Sequence, residues 1–200
     1  MTWLQLDNDI NSIWAGHEVA NYSGKPGSVI SRWEFSSNKD GQRPELKQFA
    51  STGSVYTAHL LVDKKQGMAY AANYGGSSFT AVSLHGNQLG QVVYREFPKN
   101  CRDASHPHET VTHEEHVYVM DLGCDAVRHY TVKEEKLSKI SEVSLPVGAG
   151  PRHMLLHSNG FAYLACELQS LVFVFRYVSK SARAKIILSV SIGGMKQQEN

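Results

Sequence analysis

The amino-acid sequence predicts an all-β chain built from repeated four-stranded antiparallel units, on three observations. Short runs of β-branched and aromatic residues, such as Met68 to Asn73 and Leu171 to Phe175, are separated by turns rich in Gly, Asn, Asp and Lys. No segment sustains the apolar period of an amphipathic helix. The chain also matches itself, with copies about one propeller blade apart.

The first copy is the weakest. It starts at Trp3-Leu4, passes through Ser12-Ile13-Trp14 to Glu18 and ends in Ser28 to Phe35, with its extra length in the turn-rich loop Asn21 to Gly27. In the second, Leu60-Leu61-Val62-Asp63 leads to Met68 to Asn73 and then to Ser78 to Leu84, and Gly90 to Phe97 closes the unit. Thr110-Val111-Thr112, Val117 to Asp121, Ala126 to Tyr130 and the closing Lys139 to Leu145 repeat the design. The fourth copy runs Met154-Leu155-Leu156, Phe161 to Glu167 and Leu171 to Phe175. His59, His108 and His153 precede the copies at separations of 49 and 45 residues, each 13 or 14 residues before Asn73, Asp121 or Glu167. That alignment puts the three histidines in one column, Arg152 opposite Ala58 and Pro107, and Glu167 opposite Asn73 and Asp121. About four strands per unit is the content of a β-propeller blade. The expected blade units span 1–56, 57–105, 106–150 and 151–178, followed by a divergent tail, 179–200, in which Ile186 to Ile192 has the composition of one further strand.

The composition is that of a soluble globular protein, with 42% hydrophobic and 20% charged residues. A formal net charge of +1 supplies no basic stripe for nucleic acid, whereas a small anionic ligand needs only a few local cations. The amino terminus has no basic and apolar leader pattern, and Leu171 to Phe175 is far too short to span a bilayer, so no membrane partner and a cytoplasmic location are expected. Cys101, Cys124 and Cys166 are odd in number and widely spaced, which predicts reduced, buried thiols rather than a disulfide framework.

Ala72-Asn73-Tyr74-Gly75-Gly76, His106-Pro107-His108, Asp121-Leu122-Gly123, Gly150-Pro151-Arg152-His153 and Cys166-Glu167-Leu168 occur in the order in which similar stretches occur in the seven-bladed lactonase propellers. The chain resembles that family over roughly residues 1 to 178. The family includes 6-phosphogluconolactonase and carboxy-cis,cis-muconate cyclase types. The resemblance implies a ring of seven blades, of which four are present here, with parts of both ends of the ring missing. It also implies an active site formed by His108, Arg152 and Glu167; a further arginine expected from the next blade has no counterpart.

Those residue types suit hydrolysis of a sugar lactone: a general base activates water and a cation stabilises the developing oxyanion or holds a carboxylate or phosphate. Arg152 fits the second task, and either Glu167 or His108 fits the first. His106, Asn73, His153 and His59 are the candidate substrate contacts, with His59 and His153 read primarily as structural hydrogen-bonding residues. No cofactor or metal is required. The histidines His106, His108, His113, His116 and His129 fall close together, but on strand and turn their spacing predicts solvent exposure rather than metal ligation. The glycine-rich Ala72 to Ser78 lacks a following helix and reads as a turn. Trp3, Trp14 and Trp33 read as core or inter-blade packing. The leading reading is 6-phosphogluconolactonase-like hydrolysis in the pentose phosphate route, with little or no activity expected of four blades alone. The alternatives are a muconate-type cycloisomerase and a non-catalytic interaction module that self-associates through open blade edges.

Overall fold

The computed structural model describes residues 2–7, 11–35, 43–99, 101–177 and, as backbone only, 185–191. The first blade comprises β1 (Trp3–Asp7) and β2 (Ser12–Gly16), then an inserted hairpin of β3 (Asn21–Tyr22) and β4 (Lys25–Pro26), then β5 (Val29–Glu34) and β6 (Glu45–Ser51). The second holds β7 (Thr57–Asp63), β8 (Met68–Asn73), β9 (Ser78–His85) and β10 (Gln88–Glu96). The third holds β11 (Pro107–His113), β12 (His116–Asp121), β13 (Ala126–Lys133) and β14 (Lys136–Ser144). The fourth holds β15 (Pro151–Leu156), β16 (Phe161–Cys166), β17 (Leu171–Arg176) and β18 (Lys185–Ser191). Each blade is a four-stranded antiparallel meander, the all-β propeller architecture expected. Within the tail 179–200, β18 pairs along β17 and completes the fourth blade; the rest of that segment lies outside the described residues.

Three apolar layers lie between consecutive blades. Trp14, Ile30, Leu60 and Ala71 fill the first, Tyr70, Phe79, Val119 and Tyr130 the second, and Met120, Met154, Leu164 and Phe173 the third. Full burial of each large side chain contributes about 1.5–3 kcal/mol, so these layers hold the arc together. Polar stitches at the inner strands add direction. Gln5 accepts from the Val62 N–H at 2.7 Å and donates to the Val62 carbonyl at 2.8 Å, joining the first two blades. His59 Nδ1 accepts the Thr110 N–H at 3.4 Å, and Glu109 Oε2 accepts the Met154 N–H at 2.6 Å, doing the same for the next two junctions. Trp14 is fully buried and Trp3 packs across the blade junction, its ring 4.2 Å from that of His59, both as expected, while Trp33 donates to Ser31 Oγ.

The innermost strands of the second, third and fourth blades share one irregularity, which β1 lacks. Thr57 pairs with Asn73 and His59 with Ala72, so Ala58 is bulged out; Pro107 with Asp121 and Glu109 with Met120 bulge out His108; Pro151 with Cys166 and His153 with Ala165 bulge out Arg152. This register corrects the expected columns. Ala58, His108 and Arg152 are equivalent, and His59, Glu109 and His153 are equivalent. Glu167, one residue past Cys166, corresponds to Tyr74 and Leu122 rather than to Asn73 and Asp121. A bulge re-aims the side chain it inserts, and here all three inserted residues come to line one cleft.

The cysteines also depart from expectation: Cys101 and Cys124 form a disulfide, and Cys166 alone among the described residues is a free, buried thiol. Their separation of 23 residues hid the pairing, because the β11–β12 hairpin brings the loop before β11 against the turn after β12.

Candidate active site

A cleft of about 430 Å³ opens where the inner strands of the four blades converge. Ala58, His59 and Tyr74 line it from the second blade, His108 from the third, and Arg152, His153 and Glu167 from the fourth, with Trp3 and Glu18 closing the side of the first. All three expected catalytic residues therefore face one space, together with His59 and His153.

Arg152 is held by its neighbours on both sides. The preceding loop is capped by Asp125, whose carboxylate accepts the N–H groups of Gly148 and Gly150 at 2.8 Å each. Gly150 has φ of +65°, and a Cβ there would meet the Leu168 side chain, so a larger residue is disfavoured and must push Leu168 aside just before Pro151 and Arg152. The Glu167 N–H donates to the Gly150 carbonyl at 2.8 Å, which ties the turn after β16 to the same loop. The Arg152 guanidinium and Glu167 carboxylate form an ion pair, both side chains being open to the cleft. An exposed pair of this kind adds little stability. Its consequence is orientation: the fork of donors is fixed while unused N–H groups stay available to an anion.

His108 stands beside this pair, its ring 5.1 Å from that of His153 and 5.8 Å from Tyr74. Burial first, then the Arg152 charge and His153, push its pKa down to about 4, with Glu167 opposing, so it is neutral at physiological pH. His59 is more deeply buried, its pKa pushed down to about 3 by burial and then by His153 and His108, and its Nδ1 is committed to Thr110. It is a wall and a stitch in one.

Two expected substrate contacts lie elsewhere. Asn73 is fully buried within the second blade, where its Oδ1 accepts from Thr57 Oγ1 at 2.6 Å and its Nδ2 donates to Thr80 Oγ1 at 2.9 Å and Ser78 Oγ at 3.2 Å. No polar atom remains for a ligand. His106 stacks behind Tyr74 at 4.5 Å and donates from Nδ1 to the Tyr74 carbonyl at 2.9 Å, so it supports the cleft wall rather than lining it. The expected exposure of the histidine-rich stretch also fails at His129, which is buried and shares a 2.9 Å hydrogen bond with His116. Among the described residues, the group close enough to share a metal is Cys101, Asp121 and Cys124. Its sulfurs are bonded to each other, and Asp121 already accepts from Ser105, Arg128 and the N–H groups of His106 and Cys124. Sequence reasoning missed Trp3, Glu18, Tyr74 and, beneath the cleft, Glu109; Tyr74 alone had a signal, its place in the Ala72 to Gly76 stretch.

Fold and cleft together define a β-propeller with a cleft of charged, imidazole and aromatic side chains at the mouth of its inner strands. Residues 1–197 match the family described as "Lactonase, 7-bladed beta-propeller", and the chain belongs to that family. The 6-phosphogluconolactonase of Bacillus subtilis is 28% identical over 142 residues, covering 66% of this chain and 41% of its own length. A putative 6-phosphogluconolactonase of Bacteroides fragilis superimposes with a TM-score of 0.81 at 21% identity, over 94% of this chain and 56% of that one. The periplasmic gluconolactonase of Pseudomonas aeruginosa superimposes with a TM-score of 0.82 at 20% identity, over 98% and 59%. The chain thus spans about 41% of the B. subtilis relative. Among the described residues no helix is long and apolar enough to cross a membrane.

Proposed function

We propose that this propeller hydrolyses a small anionic sugar lactone, with 6-phosphogluconolactone of the pentose phosphate pathway as the preferred candidate. The convergence of Arg152, Glu167 and His108 on one cleft carries the reading. Arg152 supplies a fixed positive charge for the substrate anion or for the oxyanion formed as water adds to the lactone carbonyl. Neutral imidazoles at the same mouth supply proton acceptors. Membership of the family and likeness to the B. subtilis enzyme support the same chemistry. The test is hydrolysis of 6-phosphogluconolactone by the purified chain, with spontaneous opening subtracted and glucono-lactone run in parallel. Turnover favouring the phosphorylated lactone supports the reading, and a rate equal to the spontaneous one in a folded sample contradicts it.

A second reading, an interaction module that pairs with another copy, is favoured by the uncovered face of the first blade, where Leu4, Leu6, Leu46 and Phe49 are exposed. Concentration-dependent mass in light scattering supports it, and a constant monomer mass rejects it. The cytoplasmic expectation also carries a test, because disulfides rarely persist in a reducing cytosol and the Cys101–Cys124 pair is bonded.

A further inference from the structure

Glu109 lies just under the cleft on β11, its side chain 13% exposed, and no part of the reading above uses it. One of its oxygens has a structural explanation: Oε2 accepts the Met154 N–H, the same blade-to-blade stitch that His59 makes to Thr110. The second oxygen is not needed for that stitch. Oε1 lies 3.3 Å from His153 Nδ1 and 3.9 Å from His59 Nε2. His59 already spends Nδ1 on Thr110 and is buried, whereas His153, its equivalent in the fourth blade, has a side chain 42% exposed at the cleft. With Nδ1 turned to a carboxylate, Nε2 is the nitrogen left for the cleft.

We infer that Glu109 and His153 form a carboxylate–imidazole dyad in which His153 is the general base and Glu109 its positioning residue. The inference rests on the lactone-hydrolase reading and names the base within it. The requirement for a base is a nitrogen facing the substrate whose far side is fixed by a third group, and His153 meets it. Glu167 is committed to Arg152, and His108 is crowded by that same cation. The titratable and charged groups around His153 are Glu109 and His108 on β11, His59 on β7, Arg152 beside it, and Glu167 after β16.

In the reaction, His153 Nε2 takes a proton from water as the water oxygen bonds to the lactone carbonyl carbon. The carbonyl π pair moves to oxygen beside Arg152. Collapse of that oxyanion breaks the ring C–O bond, and the Nε2 proton passes to the departing ring oxygen. The products are the open hydroxy acid, which ionises to solvent, and the neutral imidazole. Glu109 remains an anion throughout and stabilises the transient imidazolium.

The burial that raises the Glu109 pKa is opposed by the Met154 N–H and by His153, so the dyad sets the charge of this carboxylate as well as the orientation of the ring. Glu109→Gln separates the two roles, because the amide oxygen still accepts the Met154 N–H while the charge is gone. The full chain and the variant are compared on 6-phosphogluconolactone as a function of pH, and the His153 ring nitrogens are observed by 15N NMR. The inference expects a proton on Nδ1 of neutral His153 in the wild type. In the variant it expects kcat to fall about 10- to 100-fold with KM within about twofold, and the acidic limb of the pH–rate profile to move to lower pH because an imidazolium without its carboxylate is less stable. A bare Nδ1 in the wild type, an unmoved profile in Glu109→Gln, or full activity in His153→Gln overturns it. A folded wild type with Nδ1 protonated and no turnover keeps the dyad and rejects the hydrolase reading instead.

Discussion

The turns that follow β8 and β16 occupy equivalent places in the second and fourth blades and have opposite roles. After β8, the last strand residue Asn73 is sealed by Thr57, Ser78 and Thr80, and the next residue, Tyr74, brings no carboxylate to the cleft. After β16, the last strand residue is the apolar Cys166, and the next, Glu167, carries a charge into the cleft beside Arg152. The bulged positions divide in the same way, Ala58 in the second blade against Arg152 in the fourth. One blade design thus yields an inert wall or a charged site according to two positions per blade, which is how a repeated fold hosts a local function without altering its frame.

The largest stability effect that sharpens this comparison is Asn73→Ala. It orphans the buried hydroxyls of Thr57 and Thr80, while Ser78 keeps its bond to Ser54, and is expected to cost about 3 kcal/mol in denaturant unfolding, since each orphaned group costs about 1–3 kcal/mol. Glu167→Ala, one residue further along its own turn, is expected to move stability by no more than about 0.5 kcal/mol while reducing lactone hydrolysis. Equal destabilisation by the two breaks the contrast.

Acid provides the next test. His59 has a folded pKa of about 3, below the ordinary imidazole value of 6.5, so the unfolded chain binds more protons between those values and stability falls as pH falls through that window. From pH 7 to pH 5, His59 alone contributes a loss of about 2 kcal/mol, and His129, pushed down to about 4 by burial and His116, acts in the same direction. Urea unfolding at the two pH values measures the loss, and His59→Phe is expected to flatten the dependence.

A smaller effect is expected of Gly150→Ala. Its positive φ disfavours a side chain, at a cost of about 1 kcal/mol, and displacement of the Pro151–Arg152 segment is expected to lower activity more than stability. Thermal unfolding beside the hydrolysis assay checks that order. The last prediction is a count: thiol titration of the denatured, unreduced protein gives one reactive thiol, Cys166, and three after reduction.

The four-blade organisation was legible in the sequence because strand composition and turn residues repeat. The cleft was legible through three of its lining residues, His108, Arg152 and Glu167, because they stand in stretches that resemble one family. Its register was not. Matching His59, His108 and His153 assumed hairpins of one length, but four residues separate Asp63 from Met68 and two separate His113 from His116. The shared bulge then places His108 with Arg152 and Glu109 with the other two histidines, a relation that residue identity conceals. Asn73 misled for a related reason: a polar residue at a strand end reads as a ligand contact until its hydroxyl partners, all within its own blade, are in view. The Cys101–Cys124 bond was hidden because sequence separation gives no measure of distance across a hairpin.

The account rests on Arg152 as the charge around which the cleft is built, and hydrolysis of 6-phosphogluconolactone by Arg152→Ala beside the wild-type chain tests it most directly. Loss of about 100- to 1000-fold in kcat/KM, with unfolding unchanged, is the predicted result. A variant as active as the wild type would contradict it.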